Sequence, residues 1–287
     1  MVEVLVHFVV PALVGVLIGI ASGLLGIGGG TVMVPIFRLA FGMSATMSTA
    51  TSLFAIIPTS ISGAISHVKG KTCIPALGIA AGLGGACLSP VGVWLAQLSP
   101  DWLVMLAAAL IIGYSAINMF KKAFKLRPAG QPAAEADAAA AAAAAPSDES
   151  AASVPASDDA PLSRKQLLQG ALIGLVAGLA SGYVGVGGGF IMVPLMLSII
   201  GIPMRKASGT SLIAVMILAI PGVIEQGIIG NINYLAGIAV VIGTIPGAVI
   251  GAKLVTKVPE RTLRLLFGCF LIVAAAMLVL NEVGVLG

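Results

Sequence analysis

The stretch GLLGIGGGTVMVP at Gly23–Pro35 decides the fold, because it recurs in the same chain as GYVGVGGGFIMVP at Gly182–Pro194. Eight of the thirteen aligned positions are identical, at a constant offset of 159 residues. The same offset, without a gap, pairs the Thr-Ser-Leu triplet at 51–53 with the triplet at 210–212. The chain therefore consists of two related halves.

Each copy of the repeat contains a run of three glycines, at 28–30 and 187–189, that follows a long apolar segment. A glycine costs about 1 kcal/mol relative to alanine inside a helix, so we expect the helix to end at each run and the backbone to expose its N–H groups. Pro35 and Pro194 then interrupt the next segment, because proline lacks a backbone donor. We predict helix breaks at these two prolines.

The composition is that of a polytopic membrane protein. Of 287 residues, 59% are hydrophobic and 9% are charged, with a mean hydropathy of +1.11, whereas soluble domains contain about 25% charged residues. The N-terminal segment lacks the basic region and cleavage site of a signal peptide, so we interpret it as a retained helix. The three cysteines have no metal-ligand or redox spacing, and we expect them to be packing residues.

Five apolar segments occur in each half. Their approximate ranges are 4–25, 31–42, 46–67, 74–97 and 102–120 in the first half, and 166–184, 190–201, 207–229, 233–252 and 262–281 in the second. The second segment of each half either crosses as a bent helix or returns with its predecessor as a re-entrant hairpin. We predict an all-α membrane protein; counting each interrupted pair as one span gives the alternative of eight transmembrane helices, four per half.

Basic residues decide how the halves are oriented. With the central linker in the cytoplasm, an odd number of segments places every Lys and Arg except Arg38 on the cytoplasmic side. An even number would place Arg205, Lys206 and the basic cluster at 253–264 outside, against the positive-inside rule. We therefore predict an inverted repeat in the cytoplasmic (inner) membrane, with both termini outside.

The composition changes abruptly between the halves. Residues 121–165 begin with a basic patch, continue as an alanine run and end in Ser, Pro, Asp and Glu, a composition that cannot form a packed core. We predict an N-terminal transmembrane repeat at 1–120, a disordered cytoplasmic linker at 121–165 and a C-terminal transmembrane repeat at 166–287. The linker is interpreted as a tether, with a regulatory role as the alternative.

The two glycine runs form the candidate substrate site. Interrupted segments at corresponding positions of two inverted halves indicate a transport site near the membrane midplane. Exposed N–H groups and the positive ends of helix dipoles attract an oxyanion, so that no basic side chain needs to be buried in the membrane at high cost. The competing interpretation is that these glycines only allow the helices to pack closely. The candidate substrate-binding residues of the runs are Gly28, Gly29, Gly30, Thr31, Gly187, Gly188 and Gly189.

Hydroxyl groups from the recurring Thr-Ser pairs are candidates to complete this site. Thr51, Ser52, Thr210 and Ser211 lie one or two turns into the next helix of each half. Their hydroxyls either contact the oxyanion or bond back to a carbonyl one turn earlier in the same helix.

Four further polar residues are candidates for gating or coupling. The dipeptide at 66–67, which contains His67, aligns with Glu225-Gln226, so the halves differ here. His67 or Glu225 can carry a coupling proton, since an ionisable group within a membrane is a functional candidate, although an interfacial, solvated position fits both equally. Arg38 either draws anions into an outer vestibule or extends to the outer interface.

Catalytic and nucleotide-binding motifs are absent from the sequence. It contains no His-Glu-x-x-His, Cys-x-x-Cys or Gly-x-Ser-x-Gly, and the glycine motif follows a membrane segment instead of a strand. We expect no enzymatic activity, no cofactor, no metal and no nucleic-acid partner. The expected partners are a small inorganic or organic anion and the lipid bilayer. The sequence is compatible with a monomer and with a homodimer.

The two Gly-x-Gly-Gly-Gly-x-x-x-Val-Pro motifs, together with the Lys206–Ser211 stretch, resemble those of the TauE/SafE sulfite exporter family. The resemblance covers both halves and excludes the linker. It implies a secondary transporter that exports a small sulfur oxyanion or organosulfonate, such as sulfite or sulfoacetate. The alternatives are an anion channel, a proton- or sodium-coupled importer, and a non-transporting membrane scaffold.

Overall fold

A computed structural model describes residues 10–125 and 163–282, which form ten α-helices and no strand. The first half contains α1 (Val10–Leu25), α2 (Gly30–Phe41), α3 (Ala45–Lys69), α4 (Pro75–Leu98) and α5 (Asp101–Lys125). The second half contains α6 (Arg164–Val184), α7 (Gly189–Leu195) with a π-helical extension at Met196–Ile200, α8 (Met204–Ile229), α9 (Tyr234–Leu254) and α10 (Glu260–Glu282).

The predicted all-α polytopic membrane protein is confirmed. Seven of the described helices are long and apolar enough to span a membrane, and α1, α2 and α7 with its extension are shorter apolar helices. Large apolar side chains such as Leu17, Leu110 and Ile242 are exposed on the outside, while many Ser and Thr residues are buried. Polar groups inside and apolar groups outside suit a lipid solvent.

The central helices α3 and α8 cross antiparallel, which confirms that the halves are inverted. Leu53, in the first third of α3, contacts Gly222 near the end of α8. The symmetry-related contact joins Gly63, near the end of α3, to Leu212 near the start of α8. Because α3 and α8 are equivalent, the pseudo-two-fold axis that relates them must be perpendicular to both helices.

The first helix of each half packs against the fourth helix of the other half, α1 on α9 and α6 on α4. Glycines permit this close approach, since a Cβ at Gly19 would overlap the carbonyl oxygen of Thr244, and a Cβ at Gly178 would overlap that of Gly85. Small residues serve the same purpose in other membrane bundles. The halves are thus interlocked, and each needs the other to cover its glycine ridge.

The helix breaks fall at the glycines, so the prediction of breaks at Pro35 and Pro194 is corrected. Helix α2 continues through Pro35 to Phe41, and α7 continues through Pro194 before it widens into the π-helical extension. Each proline is the sixth residue of its helix, where it removes a single backbone hydrogen bond close to the first turn. With 12 residues, α2 is about 18 Å long, too short to cross a hydrocarbon core of about 30 Å.

Residues 126–162, most of the predicted linker, lie outside the described residues, as do residues 1–9 and 283–287. The flanking helices end at Lys125 and begin at Arg164. The predicted domain boundaries and the predicted disorder of the linker stay predictions.

Candidate functional site

Two glycine turns, residues 26–29 and 185–188, connect α1 to α2 and α6 to α7. Gly26, Gly28 and Gly29 have φ values of 76°, 75° and 84°, and their equivalents in the second half have 72°, 86° and 66°. This left-handed region is favourable for glycine and strained for side chains with a Cβ. The glycines therefore allow the backbone of each half to leave one helix and begin the next within four residues.

The two glycine turns contact each other at the centre of the protein. A Cβ at Gly30 would lie 2.5 Å from the carbonyl oxygen of Val186, and a Cβ at Gly189 would lie 2.5 Å from that of Gly26. Both turns are completely buried beside Ile56, which lies at the middle of α3. The sequence-predicted glycines of both halves are thus brought together at mid-depth.

Within the two glycine turns, six backbone donors of buried residues have no acceptor among the described residues. They are the N–H groups of Ile27, Gly28, Gly29, Val186, Gly187 and Gly188. A buried donor without an acceptor costs about 1–3 kcal/mol. Successive N–H groups in a turn form a concave site that favours anions, so the geometry suits an oxyanion with several acceptor oxygens.

Buried hydroxyl groups without a hydrogen-bond partner in the described part of the chain surround the glycine turns. The Cβ of Ser22 lies 3.6 Å from the Cβ position of Gly29, and the Cβ of Ser181 lies 3.4 Å from that of Gly188. Ser60 Oγ lies 3.4 Å from the Cβ position of Gly28. Thr31, a predicted site residue in the first turn of α2, is likewise buried and unpartnered.

Sequence reasoning missed Ser22, Ser60 and Ser181. Ser22 and Ser181 are paired by the repeat offset of 159 residues, and this pairing is the sequence signal that could have identified them. Ser60 aligns with an alanine, so the repeat carried no signal for it.

Two equivalent apolar side chains, Ile56 and Val215, occupy the space between the glycine turns. The Cδ1 atom of Ile56 lies 2.8 Å from the Cβ position of Gly187, and Val215 Cγ1 lies 2.9 Å from that of Gly28. Both side chains are fully buried. Both side chains pack against the turn glycines, so the space beside the turns is filled in this conformation.

The predicted serines tie each central helix to the glycine turn of the opposite half. Ser52 Oγ donates to the carbonyl of Gly185 at 2.8 Å, and Ser211 Oγ donates to the carbonyl of Gly26 at 2.6 Å. These two bonds are related by the pseudo-two-fold axis. Since both hydroxyl protons are already donated, Ser52 and Ser211 position the glycine turns in this conformation.

The predicted threonines make a second symmetric pair of bonds between the halves. Thr51 Oγ1 accepts from the N–H of Asn233 at 3.0 Å, and Thr210 Oγ1 accepts from the N–H of Ile74 at 2.9 Å. Asn233 and Ile74 are the N-cap residues of α9 and α4. Thr210 also bonds back to the carbonyl of Lys206, one turn earlier, as the alternative interpretation anticipated.

We expect Ser52→Ala and Ser211→Ala each to lower the free energy of unfolding by about 1–3 kcal/mol, because each leaves a buried carbonyl without its donor. Thermal unfolding of the purified variants in detergent measures this. Ser66→Ala on the same helix as Ser52 is the control, since its half-buried hydroxyl makes no hydrogen bond within the described residues. Equal stability of Ser52→Ala and Ser66→Ala would contradict the positioning role.

His67 is completely buried, so the interfacial alternative is wrong for this residue. Its Nε2 lies 2.8 Å from the carbonyl of Gly23, and its Nδ1 lies 2.7 Å from Thr72 Oγ1. Because a carbonyl only accepts, Nε2 carries a proton, and in the neutral ring Nδ1 then accepts from the threonine hydroxyl. His67 thus links the end of α1 to the loop between α3 and α4 and is not itself part of either glycine turn.

The remaining coupling candidates also lie apart from the glycine turns. Gln226, the equivalent of His67, is buried and accepts from Asn231 Nδ2 at 2.9 Å. Glu225 is half-buried, and its Oε2 has no partner within the described residues. Arg38 lies in the last turn of α2, at the end remote from the glycine turn.

Two inverted, interlocked halves whose interrupted helices meet at mid-depth define a membrane transporter of the inverted-repeat class. The family model for the sulfite exporter TauE/SafE matches residues 11–278. The chain therefore belongs to the sulfite exporter TauE/SafE family, which confirms the resemblance seen in the sequence.

Relatives of similar length are named as membrane transporters. The chain is 26% identical over 281 residues to the probable membrane transporter protein YunE of Bacillus subtilis (strain 168), covering 95% of this chain and 97% of the relative. It is 28% identical over 253 residues to the probable membrane transporter protein YdhB of the same organism, covering 88% and 92%. A probable membrane transporter protein of Haemophilus influenzae is 27% identical over 283 residues, covering 92% and 94%. No solved structure matches the chain.

Proposed function

We propose that this protein is a secondary transporter that exports a small sulfur oxyanion or organosulfonate, such as sulfite or sulfoacetate, across the inner membrane. The observation that carries the proposal is the set of six N–H groups within the two glycine turns, all in buried residues, that have no acceptor in the described part of the chain. Ser22 and Ser181 add two buried hydroxyl donors beside them. Neutral donors of this kind bind an anion without the cost of a basic side chain inside the membrane.

The direction of transport follows from the membrane potential. A negative cell interior favours the exit of an anion by about 2.3 kcal/mol per charge per 100 mV. Export therefore needs neither ATP nor a coupling ion, in keeping with a sequence that has no nucleotide-binding motif. Neither His67 nor Glu225 needs to carry a proton in this scheme.

The closed centre favours a transporter over an open channel. Ile56 and Val215 lie between the glycine turns and block a continuous path through this point. Rocking of one repeat or helix bundle against the other is the usual motion of inverted-repeat transporters, and it would move these side chains relative to the turns. The anion then reaches the N–H groups from one side at a time.

Basic residues at one end of the helix bundle support the proposed orientation. Lys71, Arg205 and Lys206 line one cavity there, and Lys69 and Lys253 line a neighbouring groove. Five cations from α3, α8, α9 and the α3–α4 loop at the same end satisfy the positive-inside rule if that end faces the cytoplasm. The linker between α5 and α6 then lies in the cytoplasm as well.

Thermal shift and efflux measurements test the proposed function together. Sulfite, sulfate, thiosulfate, sulfoacetate and chloride are added to the purified protein, and an anion that binds only the folded state raises the melting temperature. We expect sulfite or a sulfonate to give the largest shift, and to leave protein-containing liposomes faster when a potassium gradient makes their interior negative. No shift and no voltage-dependent efflux for any of the anions would refute the proposal.

A further inference from the structure

A cavity of about 1050 Å³ opens at the basic end of the helix bundle, away from the glycine turns. It lies between the α3–α4 loop, the N-terminus of α8 and the N-terminus of α10. Thr72 lines the cavity and hydrogen-bonds to the buried His67, which in turn contacts the carbonyl of Gly23 at the end of α1. We call it the basic cavity.

The charge lining the basic cavity is positive. Lys71, Arg205 and Lys206 contribute three cations, against one carboxylate, Glu260. That carboxylate is already engaged, because its Oε1 accepts from Arg264 and from the N–H of Met204. The field inside the cavity therefore favours an anion.

Arg205 carries a donor that lacks an acceptor. Its Nη2 donates to the carbonyl of Val258 at 3.0 Å, which fixes the guanidinium at the cavity wall. Its Nε is buried and makes no hydrogen bond within the described residues. A guanidinium with an unused donor pairs readily with an oxyanion.

Lys71 is held in a backbone conformation that is unfavourable for lysine. Its φ is 54°, and it is the only non-glycine residue with a positive φ in the described part of the chain. The equivalent residue of the second half is Gly230, with a φ of 85°, the residue type that this conformation favours. Strain of this kind is retained where a side chain has a function, and here the side chain supplies a charge to the basic cavity.

The repeat-equivalent positions at the opposite end of the described helices lack these three charges. The positions equivalent to Lys71, Arg205 and Lys206 are Gly230, Thr46 and Met47, all neutral. The carboxylate is retained, since Asp101 replaces Glu260 and makes the equivalent bond to the N–H of Ala45. The structural carboxylate is thus common to both ends, and the three cations belong to one end alone.

We infer that the basic cavity is a capture site for the transported anion, where Lys71 and Arg205 bind a small oxyanion before it enters the glycine turns. The inference rests on the proposed function and adds a second binding site to it. An anion loaded at the basic cavity meets three cations, whereas at the opposite end the equivalent positions are neutral and the cation is Arg38, in the last turn of α2. Binding is therefore weaker on the exit side. The difference between the two ends thereby favours release after transport.

Binding of inorganic sulfate at low ionic strength, measured by calorimetry on the full-length protein in detergent, tests the inference without transport. The Ser22→Ala/Ser181→Ala background removes the hydroxyl donors at the glycine turns, so that binding reports mainly on the basic cavity. We expect Lys71→Gly to weaken sulfate binding about tenfold. The same change should raise the melting temperature by a few degrees, because glycine relieves the strain. The Lys71→Gly/Arg205→Gln variant should lose sulfate binding.

Lys69→Gln is the matched control, since Lys69 lies at the same end but lines the neighbouring groove. Like Lys71→Gly, this substitution removes one positive charge, but we expect it to leave the sulfate affinity unchanged. Sulfate affinity that survives Lys71→Gly, or that falls equally with Lys69→Gln, would overturn the inference. Absence of sulfate binding in the background protein would overturn it as well.

The two proposals fail in different ways. If sulfate binding depends on Lys71 and yet no anion leaves the liposomes, the capture site stands and the proposed transport function fails. If efflux proceeds and sulfate binding is insensitive to Lys71, the transporter stands and the capture site fails.

Discussion

Replacing Ser22 and Ser181 together with alanine is expected to abolish oxyanion binding at the glycine turns while leaving the protein at least as stable as the wild type. Neither hydroxyl has a partner within the described residues, so no hydrogen bond is lost from the empty protein. A hydrogen bond to a charged group contributes about 1.5–3 kcal/mol, so losing two should weaken anion binding about 100-fold or more. Melting temperatures with and without sulfite, and sulfite efflux from liposomes, measure the two effects separately.

Ser89→Ala is the control for the double variant. Ser89 is also buried without a partner in the described part of the chain, but its hydroxyl lies against Gly222 of α8 and not against a residue of the glycine turns, although its carbonyl packs on Gly182. We expect it to retain both the sulfite shift and efflux. A double variant that binds sulfite as tightly as the wild type would show that these hydroxyls only fill space. Loss of stability in the double variant would show that they make bonds absent from this conformation.

Gly174→Ala is expected to prevent stable folding. The added Cβ would overlap the carbonyl oxygen of Ala81 and lie 2.7 Å from its carbonyl carbon, where α6 contacts α4. Backbone atoms cannot rotate away, so the two helices must separate along their whole ridge. We expect a loss of more than about 3 kcal/mol, the upper end for overpacking. The yield of monodisperse protein and its melting temperature in detergent measure it.

Gly113→Ala makes the same chemical change without the overlap. Gly113 lies within α5, and nothing lies within 4 Å of its Cβ position. Alanine is the better helix former by about 1 kcal/mol, so this variant should be as stable as the wild type or more so. Similar losses for the two variants would mean that the glycine ridges do not hold the halves together.

The sequence by itself determined the membrane class, the two halves and their inversion. Hydropathy and the placement of Lys and Arg are properties of short segments, and both reflect the bilayer as a solvent. The constant offset made the repeat visible, and the glycine runs indicated where the helices end. The helix break predicted at Pro35 was wrong, because a helix tolerates one missing backbone donor near its start.

Only the tertiary structure decided which groups meet at the centre. Ser52 and Ser211 donate to carbonyls 133 and 185 residues away in sequence, and backbone carbonyls carry no residue-type signal. Burial placed His67 inside the protein and left the hydroxyls of Ser22 and Ser181 without a partner among the described residues, although all three residues lie in ordinary helical sequence. These facts depend on how the inverted halves interlock, because each contact joins segments that no local pattern relates.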